Sequence, residues 1–392
     1  MSRILVVATG GAGGDLQPLV ATALALRRRG HEAAVLGDAS VGRAVAGLGV
    51  EVETLPAELD LGPRLIGAIR EAMAGSGGDM AAAGPRVAES LRQWAGDVAE
   101  PVAAAIAGRS PHAVITSLFG VEAVDLAQPT CPWAVVNSTF YIGPDPPRPL
   151  EQDIGPRAIP LVARYATLLD SPDLVLHATD QVFDLGFDRL PPGHHYVGPL
   201  GTWEPPVEAP AYLDEPGEPW VLVSISSQLQ DDLPLAQLAL DALADRRVRV
   251  LVTLGPGHQR EELPAMPRNA RVEGTVSHSA VLRRAVLLVG HAGHGTVMKA
   301  LWHGCPMVLV PWGRDQPGVA ARARALGVAE VVSRQEATRD AVSAAVDRVL
   351  SSQAMRDRCA GEAARLQRTD PPARAATLVE TLLDPGASVN RG

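Results

Sequence analysis

The sequence predicts an α/β protein built from two doubly wound parallel-sheet domains that face each other across a cleft. Three observations carry this. Short β-rich apolar runs alternate with segments of helical periodicity, as in a parallel sheet covered on both faces. The alternation occurs twice, and the Pro- and Gly-rich stretch GPLGTWEPPVEAPAYLDEPGEP separates the two series. A length of 392 residues also exceeds what a single core serves comfortably.

The first series opens with the strand ILVVAT (4–9) and a glycine-rich turn. A helix follows, with Leu16, Leu19, Val20, Ala23 and Leu24 at helical spacing up to Gly30. Next come the strand EAAVLGD (32–38), a helix near 41–49, the strand VEVETL (50–55) and an Ala-rich helical region at 80–108. The strands HAVITS (112–117) and WAVVNST (133–139) complete the series. The second series has strands WVLVSIS (220–226), RVLVTLG (249–255), ARVEGTV (270–276), VLLVGHA (286–292), MVLVP (307–311) and AEVVS (329–333). The expected organisation is a first domain at 1–203, a linker at 204–219, a second domain at 220–375, and a C-terminal helix end and tail at 376–392 that crosses back to the first domain.

Composition narrows the function classes. A net charge of −9 without an Arg-rich stretch interleaved with aromatics argues against a nucleic-acid partner. Lys299 is the single lysine, so the GK[ST] of a P-loop is absent. Cys131, Cys305 and Cys359 are odd in number and far apart, which suits a reducing cytoplasm and no disulfide framework. No apolar run reaches bilayer-spanning length, and MSRILVVATGG runs straight into a strand and turn, so neither a membrane span nor a signal peptide is expected.

In open parallel sheets ligands sit outside the carboxyl ends of the strands, so the turns there are the places to look. In VATGGAGGDLQPLV the dinucleotide fingerprint fails, because aligning Gly11 and Gly13 puts Leu16 where the third glycine belongs. Asp15 then reads either as a helix N-cap, with Pro18 tolerated in the first turn, or as a general base. The two roles conflict. Helix N–H donors lower a carboxylate's pKa, so a base here has to face the cleft.

The turn VGHAGHGTVMKALWHGCP (289–306) places Gly293, Gly295 and Thr296 at a helix start, where N–H groups and the helix dipole suit a phosphate. His291 and His294 flank the glycines; HxxH without a third ligand is weak as a metal site, and no metal is expected. In VPWGRDQPG, Asp315 reads as an N-cap or, with Gln316, as a clamp for neighbouring sugar hydroxyls. Ser226 and Ser227 follow a strand as phosphate ligands or turn formers. Trp94, Phe119, Phe140 and Tyr141 are candidate walls of an apolar acceptor pocket, although aromatics in such a domain are more often core.

With these turns in hand, the chain resembles the family 1 glycosyltransferases of GT-B fold, and within them the vancomycin- and calicheamicin-like bacterial enzymes that decorate natural products. HAGHGTVMKALWHGCPMVLVPWGRDQ is similar to their donor-binding signature, with His291, the glycine turn, Thr296, the Pro311 loop and Asp315-Gln316 in order. NARVEGTVSHSAVL resembles the segment that frames the nucleobase, which points to Val276 and His278, and HHYVGPL resembles the strand leading to the linker. Gly14-Asp15-Leu16-Gln17-Pro18 matches the aspartate version of the GHxxP segment, in which this residue is the base. Ser117 stands where histidine-bearing members place a supporting aspartate. Departures from the plant branch are Thr275 for its stacking tryptophan and Lys299 for its ribose glutamate; many members also have an asparagine where Val319 aligns.

The resemblance implies two Rossmann-like domains and an inverting, metal-independent transfer from a UDP- or TDP-sugar co-substrate to a small-molecule acceptor, with no further cofactor. Ser226, Ser227, His291, Gly293, His294, Gly295 and Thr296 would hold the diphosphate, Asp315 and Gln316 the sugar, and Asp15 the acceptor proton. A nucleotide-sugar epimerase of the same fold and a catalytically silent partner of a glycosyltransferase stay open as alternatives. A nicotinamide dehydrogenase is weakened by Leu16. Oligomeric state stays open between monomer and homodimer.

Overall fold

The computed structural model describes residues 1–10, 13–75, 80–143, 159–227, 230, 232–255, 258–274 and 276–384. Its first half is a seven-stranded sheet made of β1 (Arg3–Ala8), β2 (Glu32–Gly37), β3 (Glu51–Thr54), β4 (Ala113–Ser117), β5 (Trp133–Asn137), β6 (Leu174–His177) and β7 (His194–Tyr196), in the order β3-β2-β1-β4-β5-β6-β7. Its second half is a six-stranded sheet of β8 (Trp220–Ser224), β9 (Arg249–Thr253), β10 (Ala270–Glu273), β11 (Ala285–Gly290), β12 (Met307–Leu309) and β13 (Ala329–Val331), in the order β10-β9-β8-β11-β12-β13. Among the described residues every strand pairing is parallel. Helices must therefore cover both faces, and strands read as continuous apolar runs.

The helices of the first half are α1 (Leu16–Arg28), α2 (Ala39–Val45), α3 (Leu61–Gly75), α4 (Met80–Arg109), α5 (Val121–Leu126) and α6 (Ile159–Leu168). Those of the second are α7 (Leu233–Leu243), α8 (His278–Leu282), α9 (His294–Trp302), α10 (Gln316–Ala325), α11 (Arg339–Ser351), α12 (Gln353–Leu366) and α13 (Pro371–Thr381). Strand alternation sorts the cores. Ile4, Val6 and Ala8 pack with Leu19 and Leu26 on one face of the first sheet, while Leu5 and Val7 pack with Trp94, Val98 and Val102 on the other. The second sheet divides in the same way, with Val221 and Val223 against α7 and Leu222 against α9.

The two halves join in places the sequence reading had not drawn. β6, four residues long and buried throughout, was not among its expected strands. The expected linker is docked rather than free. Leu213 sits in the second core, and Trp220 Nε1 donates to the Leu213 carbonyl at 3.2 Å. The crossing back to the first domain also begins earlier than residue 376. All of α13, from its buried Pro371, lies against the first domain, with Ala375, Ala376 and Val379 in the same core as Leu19 and Leu26, and Glu380 pairs with Arg29 and His31. Residues 385–392 of the expected tail lie outside the described residues.

Each sheet reverses strand order once, between β1 and β4 and between β8 and β11. Crevices at such switch points are where ligands bind in open α/β sheets. Asp15 follows β1 and Phe119 follows β4; Ser226 follows β8 and His291 follows β11.

Candidate active site between the two sheets

Asp15 ends a short 3-10 turn before α1 and is 2% exposed. Its side chain makes no helix-capping bond, so the N-cap reading does not hold. The carboxylate instead accepts hydrogen bonds from the Ser138 hydroxyl at the end of β5 and from the backbone N–H of Phe119 at 3.2 Å. Burial raises its pKa to about 6; those hydrogen bonds pull it back down, and the charge of Asp315 adds a push upward. The conflict between cap and base is thus resolved by the direction in which the side chain points. Ser117, buried beside this site at the end of β4, also acts on Asp15 through its hydroxyl and lowers its pKa.

Asp315 comes from the other domain. It too stands at a helix start without capping it. Its Oδ2 accepts from the Thr139 hydroxyl at 2.7 Å, across the domain boundary. Gln316 departs from the sugar-clamp expectation. Its Oε1 accepts from the N–H groups of Trp312 and Gly313 at 2.8 and 3.1 Å, and its Nε2 donates to Gln230 Oε1 at 2.8 Å. Both lone-pair directions of the amide oxygen are used in shaping the loop that presents Asp315. Arg314, in the left-handed region at φ 57, donates to Ser226 Oγ at 2.7 Å and to the Gln230 oxygen.

At the mouth of α9, Val297 N–H is the first to bond back into the helix, to the Gly293 carbonyl. The N–H groups of His294, Gly295 and Thr296 thus have no partner within it, the arrangement that binds anions. His291 Nδ1 donates to the Ser224 carbonyl at 3.2 Å, which leaves Nε2 as the acceptor of a neutral ring. A Cβ at Gly293 would lie 2.5 Å from that Nε2, so glycine is required for the imidazole to sit here. Burial pushes the His291 pKa down.

Other expectations meet a different geometry. The His294 ring is buried edge-on against Phe183 at 6.0 Å, with Nε2 unpartnered, and burial lowers its pKa to about 4. It packs between domains, so only its backbone belongs to the anion site. Ser226 is buried, its N–H donating to Asp232 at 2.7 Å and its hydroxyl accepting from Arg314, whereas Ser227 is exposed. Val276 belongs to the second core, and the His278 ring meets the Thr253 hydroxyl at 3.0 Å. Thr275 lies outside the described residues.

Lys299 is buried and donates to Gln17 of α1 at 2.8 Å while pairing with Glu204 at 3.2 Å. Glu204 in turn accepts from the N–H groups of His278 and Ser279. The single lysine thus ties α1, the linker and α9 together.

Of the four aromatic candidates, Trp94 is corrected outright: it is core, and its indole N–H donates to the Leu59 carbonyl at 2.8 Å. Phe140 lies buried under the Arg322 guanidinium at 3.7 Å, and Tyr141 is buried and stacked on Phe187 at 5.0 Å. Phe119 alone is half-buried next to Asp15, edge-on to Tyr165 of α6 at 6.2 Å. Tyr165, which the sequence reading did not single out, feels the Asp15 charge. Ser138 and Thr139 were likewise missed, although they sit in a turn after a strand, where such residues were to be sought.

Comparison with known proteins fits this geometry. Residues 5–100 match the glycosyltransferase family 28 N-terminal domain, and residues 237–381 match the erythromycin biosynthesis protein CIII-like C-terminal domain. The chain is similar to demethyllactenocin mycarosyltransferase of Streptomyces fradiae, 31% identical over 58% of this chain but only 48% of that protein, about half its length. It is 27% identical to O-mycaminosyltylonolide 6-deoxyallosyltransferase of the same organism, over 93% of this chain and 94% of that protein. Among solved structures, the calicheamicin glycosyltransferase CalG4 superposes with a TM-score of 0.75 at 21% identity, covering 99% of both chains. The kitacinnamycin glycosyltransferase superposes at 0.73 and 22% identity, covering 98% of this chain and 99% of that one.

Proposed function

We propose that this chain, which has the GT-B fold and matches a glycosyltransferase family 28 N-terminal domain and an erythromycin biosynthesis protein CIII-like C-terminal domain, is a natural-product glycosyltransferase that transfers a sugar from a UDP- or TDP-sugar to a small-molecule acceptor with inversion. One observation carries this reading: a buried, proton-ready carboxylate of the first domain, Asp15, faces the carboxylate of Asp315 from the second.

The nucleoside diphosphate lies at the α9 N-terminus, and the sugar hydroxyls meet Asp315. Asp15 takes the acceptor proton as the acceptor oxygen bonds to the anomeric carbon. The bond from that carbon to the diphosphate breaks, and its electron pair leaves with the diphosphate. The α9 N–H groups and a protonated His291 stabilise that developing charge, a task a metal ion would otherwise take. Positioning two reactants on two domains supplies much of the remaining acceleration. Phe119 and Tyr165 flank the acceptor side.

Support also comes from the relatives: one solved neighbour, VinC, is described in complex with DTDP, and another, SpnG, with spinosyn aglycone. The test is calorimetric titration with UDP and TDP. Binding of one, weakened at least tenfold by His291→Ala, is expected. Binding of neither would remove the donor-site reading.

A further inference from the structure

β5 ends at Asn137, and the two consecutive hydroxyls that follow, Ser138 and Thr139, hold two carboxylates from two domains. Ser138 donates to Asp15, and Thr139 donates to Asp315 at 2.7 Å. Neighbouring Cα atoms are about 3.8 Å apart, so one dipeptide fixes the spacing of both acids. The dipeptide is itself braced. Asn137, fully buried, donates from Nδ2 to the Phe140 carbonyl at 2.8 Å, and its Oδ1 accepts from Thr139 N–H at 3.3 Å.

Behind Asn137 runs a one-way chain of hydrogen bonds. Asn137 Nδ2 donates to His177 Nδ1 at 2.9 Å, His177 Nε2 to His194 Nδ1 at 3.1 Å, and His194 Nε2 to the Leu169 carbonyl at 3.2 Å. Burial holds His177 neutral, which this direction of donation requires. Such a fully paired buried network rigidifies what it carries.

We propose that Ser138 and Thr139 form a two-hydroxyl bridge that registers the acceptor-side base Asp15 against the donor-side carboxylate Asp315, with Thr139 the positioning residue that spans the domains. The proposal rests on the glycosyltransferase reading above. It assigns Thr139 a role in the relative placement of the two reactants, which a plain interdomain hydrogen bond would not have. Tyr165 faces Asp15; His291, His294, Arg314 and Arg322 face Asp315, and Arg322 is paired with Asp184. None of these replaces the Thr139 bond: among the described residues, hydrogen bonds link Asp15 and Asp315 only through the β5 turn.

The test needs neither nucleotide nor acceptor. The full chain is made with carboxyl-labelled aspartate, Asp15 is assigned by its loss in Asp15→Asn, and its titration is followed by carbon NMR. Asp315 released from Thr139 is free to turn away from Asp15, which removes its upward push on the Asp15 pKa. Thr139→Val and Thr139→Ala should therefore lower the Asp15 midpoint, while Thr139→Ser keeps it. An unchanged midpoint in a folded Val or Ala variant, or an equal shift in the Ser variant, overturns the bridge. Absence of UDP and TDP binding in the wild type would instead count against the glycosyltransferase reading.

Discussion

At the scale of single residues, Asp15 combines a cost and a use. Its pKa is raised from 3.8 to about 6 by burial. The unfolded chain thus loses this proton first as pH rises, and folding loses stability between about pH 4 and 6, roughly 3 kcal/mol for a two-unit shift. Asp15→Asn should therefore melt higher than wild type at pH 8, and the difference should shrink toward pH 4, while transfer falls by orders of magnitude. Activity should run the other way, with an acid limb near pH 6 in kcat/KM. Ser138→Ala removes a hydrogen bond that favours the carboxylate, so this limb should move to higher pH; a limb that stays put would detach Ser138 from the base.

His291 gives a second residue-scale prediction. Its Nδ1 is committed to the Ser224 carbonyl, so donation to a phosphate needs a proton on Nε2. Nucleoside diphosphate binding should take up protons and weaken as pH rises, the fall beginning below the range of an ordinary histidine because burial lowers the His291 pKa, and His291→Gln should abolish the uptake measured by calorimetry in buffers of different ionisation heat. Asp15 was legible in the sequence as a candidate because its turn follows the first strand, and the choice of base over cap came only from the resemblance. Ser138 and Thr139 were not, because their partners lie 123 and 176 positions away and a Ser-Thr pair after a strand reads equally well as a turn.

At the scale of elements, glycines and termini carry the argument. Gly293→Ala would drive a Cβ to 2.5 Å from His291 Nε2. Diphosphate affinity should fall at least as far as in His291→Ala while the melting temperature changes little. Affinity equal to wild type would show that the imbalance is relieved elsewhere in the loop. The strands with long apolar runs were legible from periodicity, and so was the strand–turn–helix at residues 289–302. β6 was not, although its run LVLH is as long as β3 and β10. The full extent of α13 on the first domain was also hidden, because its apolar stripe of Ala375, Ala376 and Val379 does not reveal which core receives it. Gln316 was misread for a related reason: an amide beside a carboxylate suggests a sugar clamp, but a tight loop claimed it first.

At the scale of the whole molecule, the two domains are held by buried charge as well as by apolar packing. Arg322 of α10 and Asp184 of the first domain are both fully buried and paired at 2.6 Å, with Tyr196 Oη donating to the same carboxylate. Removing one partner leaves the other charge buried, so Arg322→Met should cost about 3–5 kcal/mol in denaturant unfolding, and adding Asp184→Leu should recover part of it. A loss within experimental error would mean that the interface is not anchored there. Two domains and a cleft were legible from length and alternation; the identity of the bonds across the cleft was not, since each joins residues from different halves of the chain. The central claim is that this cleft transfers a sugar with Asp15 as base. Its most direct measurement is product formation from UDP-glucose or TDP-glucose with a panel of macrolactone and polyphenol aglycones, read by mass and by anomeric proton coupling, for wild type and Asp15→Asn. The account predicts an inverted glycoside and a loss of about 10²- to 10⁴-fold in the variant with diphosphate binding retained; a retained anomeric configuration, or equal rates in the two proteins, would contradict it.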